Sequence, residues 1–264
     1  MSGIIINIDP VLLRLWHLEL RWYSLAVALA IVSGVFITAH RAKKKGIASE
    51  HVHSLSLWVV LGGIVGARLF HVIDHWEHYI QNPLQIFGFQ GLAIWGALAG
   101  GGLALILYAR SRHLPFGRLV DALAPGLLVA QIIGRFGCIV NGDAYGGITS
   151  VPWAFIYINP GSMIPANLFG VPTHPYPVYE MIWNAIALLV LLRLDHYFKR
   201  DGMVFLSYLF LYGLGRFVLT FVRQETITLW GLQQAQVIAV MIVAASVAAT
   251  AYLMAKQQNP VKLY

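Results

Sequence analysis

LVDALAPGLLVAQIIGRFGCIVNGDAYGG, residues 119–147, begins as a long apolar run and ends on an arginine, a cysteine, an asparagine and an aspartate. A bilayer core of about 30 Å is crossed by about 20 mostly apolar residues wound as a helix. The first part of the stretch meets that requirement, and its polar end lies where such a helix would leave the hydrocarbon. Its glycines permit a turn there. The stretch therefore reads as a membrane span ending in a polar mouth.

The composition extends that reading to the whole chain. Of its 264 residues, 58% are hydrophobic and 11% charged, and the mean hydropathy is +0.69. A soluble domain of this size carries about 25% charged residues. Lipid must be the solvent for most of this exterior. Seven hydrocarbon-length runs occur, near 21–40, 55–74, 91–109, 119–140, 176–194, 203–222 and 233–255. No repeat or low-complexity linker separates them, which predicts an all-α, polytopic membrane protein forming one integral-membrane domain over 1–264. The first twenty-odd residues lack the basic region and small-residue cleavage site of a removable signal peptide. Asp9, Pro10, Arg14 and Glu19 interrupt their apolar character, which suits a segment lying in the interface.

Twelve of the 18 lysines and arginines fall on alternate loops: Arg41, Lys43, Lys44 and Lys45; Arg110, Arg112 and Arg118; Arg193, Lys199 and Arg200; Lys256 and Lys262. The loops at 75–90 and 141–175 have none. Cytoplasmic loops collect such residues, so an odd number of spans sets the N-terminus outside and the C-terminus inside. The same distribution accounts for the net charge of +7 without a nucleic-acid partner. The single cysteine, Cys138, forms no internal disulfide.

The other six basic residues are all arginine: Arg14, Arg21, Arg68, Arg135, Arg216 and Arg223. Arg68, Arg135 and Arg216 fall within or at the ends of spans, where a charge needs a partner or a task. Arg223, next to Gln224 and Glu225, suits a snorkelling or paired end residue. The main carboxylates available at depth are Asp121, Asp143 and Glu180. An excess of arginines over carboxylates points to an anionic guest, because a guanidinium fork matches phosphate oxygens. Gly62, Gly63 and Gly66, with Gly96, Gly100, Gly101 and Gly102, read as close helix packing. His71, His75 and His78 share helical spacing but lack a supporting ligand set, so no metal site is expected. Cys138 reads as a small buried hydrophobe.

Seven stretches occur in order: RWYSLAVALA at 21–30, GARLFHVI at 66–73, GLAIWGALAGG at 91–101, DALAP at 121–125, IGRFGCIVNGDAYG at 133–146, HPYPVYE at 174–180 and YGLGRFVLTFVRQE at 212–225. Together they resemble the bacterial prolipoprotein diacylglyceryl transferase family over nearly the whole chain. The resemblance implies an enzyme of the bacterial cytoplasmic (inner) membrane with its site towards the outer face. Such an enzyme moves the diacylglyceryl group of phosphatidylglycerol to the lipobox cysteine of a pre-lipoprotein signal peptide and releases glycerol phosphate. Its partners are those two substrates and membrane lipids, and it uses no cofactor and no metal. By the same resemblance, Arg135, Asn141, Gly142, Gly146, Arg68 and Glu180 bind substrate. Arg135, Arg216, Tyr23, Tyr212, Asp143 and His174 belong to the catalytic set.

Besides Ser24, which replaces the usual glycine after Tyr23, three positions depart from the family pattern. Trp95 stands where a histidine proposed as catalytic is usual, Cys138 replaces a signature asparagine, and Thr220 replaces a glutamate. A titrating residue at position 95 is therefore unavailable. Arg135 and Arg216 are expected to hold the phosphate and favour a nearby thiolate. Asp143 is expected to orient Arg135 rather than take the proton, since a carboxylate beside arginine is a weak base, with His174 as the alternative base. Two other readings compete: a lipid-binding relative without transfer activity, which Trp95 favours, and an anion transporter.

Overall fold

The computed structural model describes residues 3–258 apart from 17, 89, 90, 92, 224–226 and 230. Gln224, Glu225 and Lys262 thus lie outside the described residues. Among the described residues, seven helices are long and apolar enough to cross a membrane: α1 (Trp22–Lys44), α2 (Ser49–Asp74), α4 (Ile94–Ser111), α5 (Phe116–Asn141), α6 (Tyr176–Leu194), α7 (Met203–Thr220) and α8 (Gln234–Gln258). A short α3 (Trp76–Gln81) follows α2. Helices satisfy every backbone group internally, which hydrocarbon demands. Their outward faces are apolar in the same way, with Phe36, Ile73 and Leu189 all largely exposed. Basic residues sit in the last turns of α1, α4 and α6, where the helix dipole also favours cations.

The chain divides into two compact units, Met1–Ile37 with Leu123–Tyr264, and Thr38–Ala122. In the second unit α2 lies against α4 through paired glycines. A Cβ at Gly62 would stand 2.8 Å from the carbonyl oxygen of Gly100, and one at Gly66 would run into Gly96. Only glycine permits backbones this close. Arg68 acts there as a strut. Its Nε donates to the Ile86 carbonyl at 2.8 Å and its Nη1 to Gly91 at 3.2 Å, while Nη2 reaches the carbonyl of Gln85. The guanidinium also lies over the Tyr79 ring. The His71 and His75 rings pack 4.3 Å apart, and His78 Nε2 lies 2.9 Å from Gln85 Oε1.

Among its described residues the first unit holds three small sheets that hydrophobic spans do not announce. Strand β1 (Ile4–Ile6) pairs in parallel with β4 (Phe155–Tyr157), and β2 (Val11–Leu15) forms a hairpin with β3 (Leu18–Arg21). Strands β5 (Ile227–Leu229) and β6 (Leu232–Gln233) make a second hairpin. Phe155, Tyr157, Ile164 and Leu168 bury one face of the long 142–175 connection, packed against Ile6, Ile139 and Val178. Between the helices, Ala124, Leu128, Ala187, Leu191, Val204 and Tyr208 form an apolar cluster.

Candidate active site

The opening stretch ends its helix at Gly142, whose φ of +76° is a left-handed conformation that glycine adopts without strain. Its N–H donates to the Cys138 carbonyl at 2.9 Å. Gly146 then passes against His174, where a Cβ would meet the His174 Cβ at 2.7 Å, and its N–H donates to the His174 carbonyl. Asn141, 6% exposed, braces the same turn: its carbonyl accepts from Met163 N–H at 2.8 Å and its Nδ2 reaches Met163 Sδ. The signature glycines and asparagine thus shape the turn beyond α5.

That turn lies at the α5 end of a cavity of about 280 Å³. Four helices line it, each with residues one turn apart. Towards the 142–175 connection stand Tyr23 of α1, Arg135 of α5, Glu180 of α6 and Arg216 of α7. About 6 Å further from that connection come Val27, Gln131, Asn184 and Tyr212 on the same four helices. The apolar cluster containing Leu128, Ala187 and Tyr208 is on the far side of this second layer.

Glu180 organises the first layer. Its Oε2 lies 2.6 Å from Arg135 Nε and its Oε1 3.0 Å from Arg216 Nη1. Arg216 Nη1 also donates to the Tyr176 hydroxyl at 2.9 Å. Glu180 is 8% exposed and Tyr176 is fully buried, so the pair of guanidinium groups is held from behind. One carboxylate between two arginines leaves a net positive charge at the cavity wall. The Cys138 thiol sits on the other flank of Arg135, 3.6 Å from its Nη1, and Arg223 lies over the Tyr176 ring.

Several expected residues stand elsewhere. Among the described residues Asp143 makes no ion pair with Arg135; the carboxylate paired with Arg135 is Glu180, from another helix. The Tyr157 phenol is pushed well above its ordinary pKa by burial, then by the charges of Asp143 and Cys138. That hydroxyl donates to the Ile139 carbonyl at 3.0 Å. His174 is engaged through Nδ1 with the Tyr179 hydroxyl at 3.2 Å, which also accepts from the Trp153 indole at 2.9 Å. Neither Asp143 nor His174 lines the cavity. Arg68 and Trp95 belong to the second unit. Gln131, Trp183 and Asn184 line the cavity and were not singled out from the sequence. The available signal was a polar residue deep in a span, one turn from a charged one.

The chain matches the family described as Prolipoprotein diacylglyceryl transferase over residues 10–252. A protein of Dehalococcoides mccartyi called phosphatidylglycerol–prolipoprotein diacylglyceryl transferase is 36% identical over 259 residues, covering 98% of each chain. Proteins given the same name in Clostridioides difficile and Enterococcus faecalis are 35% and 32% identical. They cover 95% and 96% of this chain and 98% and 92% of their own.

Proposed function

The chain belongs to the prolipoprotein diacylglyceryl transferase family, and from that premise we propose how its own residues carry out the transfer. As a member it is a transferase of lipoprotein biosynthesis, acting on phosphatidylglycerol and prolipoprotein. In our reading the acceptor is the lipobox cysteine of the signal peptide. Its sulfur forms a bond to the terminal carbon of the diacylglyceryl group as the bond from that carbon to the phosphate oxygen breaks. The electron pair leaves with glycerol phosphate.

The observation that carries the reading is the pair Arg135 and Arg216 sharing Glu180 beside an open cavity. As the diester becomes a monoester, negative charge grows on the phosphate, and fixed guanidinium groups favour that state over the ground state. Glu180 holds both forks in place before the lipid arrives. Their residual positive field also stabilises an incoming thiolate. The thiol proton goes to the departing phosphate, whose oxygens become more basic as the carbon–oxygen bond breaks. The absence of Asp143 and His174 from the cavity lining supports that route.

Orientation follows the basic loops: N-terminus out, C-terminus in, with the 142–175 connection and the cavity mouth on the outer face of the bacterial inner membrane, and 1–264 acting as one functional domain. An anion conduit fits less well, because the apolar cluster of Leu128, Ala187 and Tyr208 lies beyond the cavity's second layer. Complementation of a bacterium depleted of its own transferase tests the function. Growth restored by the native chain and not by Arg216→Ala supports it; failure of a correctly inserted native chain to restore growth counts against it.

A further inference from the structure

The second layer of the cavity contains polar groups that the phosphate chemistry does not use. Asn184 is 7% exposed and lines the cavity, and its side-chain amide has no hydrogen-bond partner among the described residues. Gln131 also lines the cavity; its Nε2 donates to the Tyr208 hydroxyl at 2.9 Å, and its Oε1 is buried without a partner. The Nε2 amide group carries a second N–H beyond the one given to Tyr208. Amides left unpaired at this depth are costly and call for a ligand.

We propose that Asn184 and Gln131 form an ester-reading subsite, whose amide N–H groups donate to the acyl ester carbonyls of a diester glycerophospholipid held by its phosphate at Arg135 and Arg216. The spacing supports this. Asn184 lies one turn from Glu180 on α6 and Gln131 one turn from Arg135 on α5, about 6 Å along each axis. In a glycerophospholipid the ester carbonyls stand a few bonds from the phosphate, on the side of the acyl chains. The chemistry is also matched. The first layer is cationic and suits an anion, whereas the second is uncharged and suits neutral carbonyl acceptors. Fixing both phosphate and carbonyls defines the rotation of the glycerol backbone, so its reactive carbon is presented in one direction. The subsite makes the acyl esters part of what is recognised, and ether lipids and lysolipids lose that contact.

This inference rests on the arginine layer being the phosphate site. The test compares equilibrium binding of dioleoyl phosphatidylglycerol and its diether analogue, which lacks both carbonyls, to the full chain in detergent. The native protein should bind the diester about 3- to 10-fold more tightly, the size of one net hydrogen bond. Asn184→Leu should reduce that preference by weakening diester binding alone. Equal binding of the two lipids by the native protein overturns the proposal even if no variant folds. A preference undiminished in folded Asn184→Leu overturns it as well. Transfer to a lipobox peptide is read in parallel. Selectivity without any transfer leaves the subsite standing and removes the transferase reading, whereas transfer with equal binding does the reverse.

Discussion

Glu180 on α6 meets Arg135 on α5 at 2.6 Å, and the same carboxylate reaches Arg216 on α7 at 3.0 Å. Three helices are thereby tied at one point beside the cavity. Removing one partner of a buried ion pair costs about 3–5 kcal/mol, because the remaining charges are stranded. Glu180→Gln should lower stability by about 3 kcal/mol at the low end of that range, and inorganic phosphate should recover part of it by neutralising the two arginines. Melting curves in phosphate and in chloride at matched ionic strength check this; identical curves for variant and native chain contradict it.

The Cys138 thiol beside Arg135 gives a chemical probe of the cavity. Methyl methanethiosulfonate should inactivate the native chain slowly, since the residue is 7% exposed. Saturating phosphatidylglycerol should slow the loss further, and Cys138→Ala should be resistant. Inactivation of Cys138→Ala at the native rate contradicts the placement, because the chain has no other cysteine.

The proposed topology can be read in the same cysteine-free background. Asn167→Cys, in the 142–175 connection, should react with an impermeant maleimide in intact cells. Lys44→Cys, at the end of α1, should react only after the membrane is opened. The reverse pattern overturns the orientation.

Close packing of α2 on α4 predicts intolerance at Gly62, where a Cβ meets the Gly100 carbonyl at 2.8 Å and Ala104 Cβ at 2.9 Å. Gly62→Leu should destabilise the chain by about 1–3 kcal/mol through overpacking, whereas Gly102→Leu, whose Cβ has open space, should be tolerated. Equal melting temperatures for the two variants contradict the packing account.

The spans were legible because hydrocarbon length and apolar composition are local properties. Their ends were less so: α2 begins at Ser49, ahead of the apolar run, because Glu50, His51 and His53 can extend the helix outside lipid. The pairing of β1 with β4 was not legible, since it joins strands of three residues each that are far apart in the chain. The site shows the same division. Arg135 and Arg216 stood out as charges within apolar runs. Asp143 was expected beside Arg135 because the two are near in sequence, but the α5 end turns at Gly142, and Glu180 arrives from α6 instead. Asn184 and Gln131 carried a readable signal, as amides deep in spans, but only the fold brings both to the lining of one cavity.

In the proposed mechanism a guanidinium fork at Arg135, fixed by Glu180, holds the phosphate during transfer. The most direct test is the rate at which purified protein converts labelled phosphatidylglycerol and a lipobox peptide to thioether-linked lipopeptide and glycerol phosphate, for the native chain and for Arg135→Lys. Lysine keeps the charge and loses the planar fork. The account predicts equal amounts of the two products from the native chain and a loss of about 100-fold or more in the variant. Transfer by folded Arg135→Lys at the native rate would contradict it.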